Sequence, residues 1–128
     1  MAGEGRGPQG KFASSLNLPH PTNLRGYETL PVFLIIDIAV VDQGLYEEYV
    51  ARVPAVVEQY GGRYLVRGGE VVALAGGWQP ERIVVLEFES SDQAQEYLTS
   101  PEYLALAPLR EKCTSSRAII VPGYEYDL

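Results

Sequence analysis

A four-stranded antiparallel sheet in βαββαβ order, with two helices on one of its faces, is the α+β fold that this sequence predicts. Two β-branched stretches, 32–41 and 81–89, each lead into a segment with cap residues and helical spacing. A shift of fifty residues lays Ile35-Ile36-Asp37-Ile38 on Val85-Leu86-Glu87-Phe88, and Asp42-Gln43 on Asp92-Gln93. Two similar halves, each a strand bearing one acid and then a helix, are the content of a split βαβ, ferredoxin-like sheet. In that topology the first and third strands lie side by side in the middle, so Asp37 and Glu87 become pseudo-symmetric. Chance similarity between two apolar strands is the alternative.

Residues 32–41 form a β-branched run that reads as a strand buried on both faces. Asp42 then caps a helix in which Leu45, Tyr49, Val53, Val56, Val57 and Tyr60 recur at helical spacing, with Glu47, Glu48, Arg52 and Glu58 on the other side. Pro54 is expected to kink this helix or end its first part, and Gly61-Gly62 to stop it. Residues 63–75 and 81–89 read as two strands around the glycine turn at 76–80, with a bulge at Gly68-Gly69 in the first. Ser90, Ser91 and Asp92 cap a short helix reaching Leu98, and Ser100-Pro101-Glu102 starts another, so the second helical region is broken in two. Thr114-Ser115-Ser116 is expected to turn the chain into a last strand, 117–121, ended by Pro122-Gly123.

At 128 residues with 46% hydrophobic content, the chain has the size and composition of one domain. Ten Lys and Arg against 17 Asp and Glu, a net charge of −7, argue against nucleic acid and anionic membranes as partners. One cysteine, Cys113, forms no internal disulfide, and with the one histidine, His20, it makes no plausible zinc site. No metal and no cofactor are expected. The first thirty residues hold no apolar signal core and no apolar run is long enough for a membrane helix, so the expected compartment is the cytoplasm. Residues 1–29, rich in Gly, Pro and Ser, read as a flexible extension, with 30–128 as the single folded domain. Within the extension, Gly5-Arg6-Gly7-Pro8-Gln9-Gly10 matches the dinucleotide fingerprint only as a string, with no strand before it.

A lone four-stranded sheet covered on one face should alternate apolar and polar residues, and here both faces of the central strands are apolar. Phe33 and Ile35 oppose Val32, Leu34, Ile36 and Ile38; Ile83 and Val85 oppose Val84, Leu86 and Phe88. A second copy packing sheet to sheet would cover the open face, so a homodimer is expected.

The segments Tyr60-Gly61-Gly62-Arg63-Tyr64-Leu65-Val66-Arg67-Gly68-Gly69, Trp78-Gln79-Pro80-Glu81-Arg82-Ile83-Val84-Val85-Leu86-Glu87-Phe88 and Ser100-Pro101-Glu102-Tyr103 resemble the bacterial family DUF1330 in order and spacing. The likeness spans about residues 32–123. It implies a dimeric α+β barrel, in which two ferredoxin-like sheets pack face to face. That superfamily includes cofactor-free monooxygenases, cyclases, isomerases, haem-processing proteins and stress-responsive proteins, and such spread on one fold limits what is transferred. A haem role is disfavoured, because His20 lies outside the matching region.

Among the residues themselves, Arg67 precedes a glycine pair at a strand end, where its guanidinium can hold a carboxylate. Glu87 lies on an apolar strand and must be paired or neutralised there. The two are expected to meet across neighbouring strands, either as a structural ion pair or as a general base and an enolate stabiliser. Tyr103 and Arg110, seven apart on the second helical region, share a face; Tyr103 is a candidate hydrogen-bond donor and Arg110 a candidate carboxylate binder. The alternative is a packed Tyr and a surface Arg. Tyr46, Tyr49 and Trp78 are candidates for an aromatic wall of the substrate site, and Asp37 is a further polar candidate that is equally a satisfied structural acid. The function these suggest is a cofactor-independent enzyme of isomerase, cyclase or oxygenase type acting on a small carbonyl or carboxylate compound. The alternative is a non-catalytic small-ligand-binding or stress and pathway accessory protein.

Overall fold

A computed structural model describes residues 30–125. The elements run β1 (Val32–Val40), α1 (Gln43–Gln59), β2 (Arg63–Arg67), β3 (Arg82–Phe88), α2 (Ser91–Leu98), α3 (Pro101–Cys113) and β4 (Thr114–Pro122). The sheet is antiparallel throughout, in the order β2-β3-β1-β4. This is the ferredoxin-like α+β arrangement, with β1 and β3 central and the second helical region split in two. The extension expected at 1–29, with its glycine motif and His20, lies outside the described residues.

Local chemistry starts each helix. The Asp42 carboxylate accepts from the Leu45 amide at 3.0 Å, the Ser90 hydroxyl from Gln93 at 3.2 Å and the Ser100 hydroxyl from Tyr103 at 3.0 Å. Gly61, at φ 80°, ends α1 in the left-handed region, and beside it a Cβ at Gly62 would lie 2.7 Å from the Phe88 ring.

Three expectations are corrected. Pro54 neither ends nor divides α1, which runs 17 residues through it, because one missing hydrogen bond is outweighed by the packing of Val53 and Val57. Residues 70–75 are not strand: β2 stops at Arg67, and Val72 and Leu74 stand 73% and 92% exposed on a long connection. Thr114-Ser115-Ser116 is the start of β4 rather than a turn, paired with Val40, Ala39 and Ile38 of β1.

The core lies between the helices and one face of the sheet. Val32, Leu34 and Ile38 of β1 and Val84, Leu86 and Phe88 of β3 pack there against Val53 and Val57 of α1, Ala94, Tyr97 and Leu98 of α2, and Tyr103, Leu106 and Cys113 of α3. Burial pushes the Cys113 thiol up, the reverse of an activated thiolate. The other sheet face carries Phe33, Ile35, Ile83, Val85, Ile119 and Val121, with Ile119 still 62% exposed. Among the described residues no helix is long and apolar enough to cross a membrane.

Candidate functional site

A cavity of about 380 Å³ opens between α1 and the helix-covered face of the sheet. Its floor is aliphatic, from Ile36, Ile38, Val84 and Leu86, and its walls are four tyrosines: Tyr46 and Tyr49 of α1, Tyr64 of β2 and Tyr97 of α2. Arg67 and Arg82 also line it, with Gln43 and Glu47 from the first turns of α1. An apolar body with a few convergent polar groups is the usual composition of a small-molecule site.

A bulge brings Arg67 into this cavity. Arg63 pairs with Glu87 and Tyr64 with Leu86, but Val66 then pairs with Val85 and Arg67 with Val84, leaving Leu65 as the extra residue. Without it, Tyr64 and Arg67 would point to opposite faces; with it, both face the helices. Arg67 therefore cannot meet Glu87, which stands on the open face and is bridged instead by Arg63 Nε at 2.7 Å. The expected Arg67–Glu87 pair is not formed, and the bulge that prevents it lies at Leu65, not at Gly68-Gly69.

Arg67 is held by the helix proline. Pro54 has no N–H to offer the Val50 carbonyl one turn earlier, and that carbonyl accepts from Arg67 Nη2 at 3.0 Å. The guanidinium also stacks on Tyr64, 4.7 Å from the ring centroid. Arg82 sits over Tyr46 in the same manner, at 5.4 Å. Burial raises Tyr46 and Tyr64 above the ordinary phenol value, opposed in both by neighbouring arginine charge. Tyr49 and Tyr97 are pushed up further, chiefly by burial. All four hydroxyls are thus held protonated.

The other candidate residues do not converge here. Tyr103 and Arg110 form a buried pair behind the cavity: Arg110 Nη1 donates to the Tyr103 hydroxyl at 2.7 Å, and the Tyr103 ring lies 4.7 Å from that of Tyr97. Arg110 is 4% exposed and also lies 3.7 Å from Glu111, so it is neither a surface residue nor a lining one. Asp37 and Trp78 lie on the open face, where Asp37 Oδ2 accepts from Arg117 Nε at 3.0 Å and from Trp78 Nε1 at 3.2 Å. Trp78 is thereby separated by the sheet from the Tyr46–Tyr49 wall it was expected to join. Sequence reasoning missed Arg82, Tyr64 and Tyr97. Arg82 was within reach, since it heads the alternate series Val84, Leu86, Phe88 and so shares their face.

The fold defines a ferredoxin-like α+β protein with a cavity between helix and sheet. The chain belongs to the DUF1330 family, a domain of unknown function, whose sequence profile matches residues 31–124. No curated protein matches it. Among solved structures it is similar to a protein of unknown function from Rhodopseudomonas palustris, at 17% identity and TM-score 0.67, covering 84% of this chain and 96% of that one. It is also similar to SnoaB, a cofactor-independent oxygenase from Streptomyces nogalater, at 13% identity and TM-score 0.57, covering 77% and 97%. At these identities the likeness is one of fold.

Proposed function

We propose that this protein is a cofactor-independent enzyme of isomerase, cyclase or oxygenase type that takes a small carbonyl or carboxylate compound into the cavity under α1. The observation that carries the reading is Arg67, fixed by the Val50 carbonyl in a tyrosine-walled cavity. Removing a proton beside a carbonyl leaves an enolate, and a preorganised guanidinium with phenol donors stabilises that charge. Glu87 is on the wrong face for the base; Glu47 is the carboxylate that lines the cavity among the described residues. The similarity in fold to a cofactor-independent oxygenase fits this reading.

A second reading, a binding protein without turnover, is favoured by the raised tyrosines, which offer donors and no base. Deuterium exchange at the carbon beside the carbonyl, followed by NMR over a panel of aromatic and β-dicarbonyl acids, separates the two. Exchange that depends on Arg67 supports the enzyme. Saturable binding without exchange supports the second reading, and the absence of both overturns the cavity as a ligand site.

The working form is a cytoplasmic homodimer closed through the open sheet face, where Ile119, Val121 and Val66 are 62%, 40% and 43% exposed. Sedimentation should give twice the 14.1 kDa chain mass, and Ile119→Lys should return the monomer. A wild-type monomer at working concentration would overturn it.

A further inference from the structure

We infer that Arg67 and Arg82 form a clamp for one carboxylate carried on a flat apolar body, and that Arg82 is the residue that selects for its charge. The inference rests on the cavity being a ligand site and names the class of compound it takes.

Arg82 Nε is buried and has no hydrogen-bond partner among the described residues. A buried guanidinium N–H without an acceptor forfeits the hydrogen bond it would make in water, and native proteins seldom leave one unexplained. Nor does any described carboxylate lie within ion-pair distance of Arg67 or Arg82, whereas Arg52, Arg63, Arg110 and Arg117 each have one. The nearby acids accept from other groups, Glu81 from the Val40 amide and Glu47 from Gln43, and neither lies within ion-pair distance of the two arginines.

The two guanidiniums are brought to one end of the cavity by the sheet. Arg67 pairs with Val84, so Arg82, two residues away on the same face, is its diagonal neighbour and within reach of a long side chain. Gly68 completes the arrangement. At φ 80° it adopts a conformation other residues avoid, and a Cβ there would collide with Arg82 Nη1. The chain is therefore bare where the Arg82 guanidinium lies against it. Each arginine is also braced on a tyrosine ring, which reduces the entropy lost when a ligand is gripped.

Two like charges at one end of a cavity repel each other, and a carboxylate between them reverses that term and supplies an acceptor for Arg82 after a small side-chain shift. Behind it, Tyr49, Tyr97, Ile36 and Leu86 offer an apolar slot for the body. A cavity of about 380 Å³ is ample for a two-ring acid.

The test is isothermal titration of the full chain with naphthoate and its neutral isostere naphthamide, using Arg82→Gln, Arg82→Lys and, as a control on the opposite face, Arg63→Gln. The wild type and Arg63→Gln should bind naphthoate about tenfold or more tighter than naphthamide, a difference of ~1.4 kcal/mol. Arg82→Gln should lose most of that preference, with naphthamide unchanged and the remainder carried by Arg67, and Arg82→Lys should fall between. If Arg82→Gln does not fold, the loss of preference is read from Arg82→Lys. Full preference retained without the Arg82 fork overturns the clamp while leaving the ligand site intact, as does a wild type without preference. Failure of both compounds to bind overturns the ligand site, and the clamp with it.

Discussion

On the helix-covered face, Arg67 and Arg82 stand without a carboxylate partner among the described residues, beside the buried Ile38, Val84 and Leu86. On the open face, Asp37 of β1 and Glu87 of β3 are each bridged by an arginine directly across on an outer strand, Arg117 and Arg63. These bridges are related by the pseudo-symmetry of the central strands, since Asp37 pairs with Ile83 and Glu87 with Phe33 about the Ile35–Val85 pair. The difference shows how one sheet separates two tasks. Charge on the open face is compensated within the chain, leaving a largely apolar surface that another sheet can cover without stranding an ion. Charge on the helix face, at Arg67 and Arg82 in the cavity lining, has no carboxylate within ion-pair distance among the described residues.

The largest effect that would sharpen this contrast is the loss of Phe88, which is fully buried and packs 5.2 Å from the Tyr97 ring. Phe88→Ala should cost about 3–5 kcal/mol, measured by urea unfolding, at any protein concentration. If the open face closes on a second copy as proposed, Ile119→Ala should cost little in a dilute sample and more as concentration rises. Equal, concentration-independent losses would break the distinction between the faces.

The same contrast separates what was legible in the chain from what was not. Asp42, Ser90 and Ser100 announce their helices because capping involves residues three apart, and the alternation Val84, Leu86, Phe88 announces a strand face. The bulge at Leu65 depends on how β2 pairs with β3, a non-local choice, and a slip of one residue moves every later side chain to the other face. That single position is why Arg67 and Glu87 read as partners and are not. Gly68 reads in the chain as a bulge, whereas its role is to hold a positive φ and leave room for Arg82. The freed Val50 carbonyl was implicit in Pro54, but its acceptance of Arg67 needed the helix laid across the sheet.

Titration offers a second, smaller contrast. Tyr49, Tyr97 and Tyr103 on the helix side are raised mainly by burial above the ordinary value of 10.0, so above pH 10 the folded state holds protons that the unfolded chain releases. Their contribution to stability is complete below that pH and is lost as pH rises through the raised values, at ~1.4 kcal/mol for each tenfold by which folding weakens a phenol as an acid. Phenolate absorbance from this buried set should therefore rise only together with loss of helical circular dichroism. A single phase near pH 10 with the fold intact would mean that water reaches these rings freely.

The smallest expected effect lies at Pro54. Pro54→Ala restores an amide that competes with Arg67 for the Val50 carbonyl, so the helix gains its missing hydrogen bond while the guanidinium loses its anchor. Stability should hold or rise slightly, and naphthoate affinity should fall several-fold, by about 1 kcal/mol, with naphthamide and the sedimentation coefficient unchanged. Such an outcome would confine the effect to the helix face and to the charged end of the cavity. If affinity for both compounds fell together, Pro54 would be shaping the cavity wall through the path of α1. Unchanged affinity for both would mean that Tyr64, over which Arg67 stacks, is enough to hold the guanidinium in place.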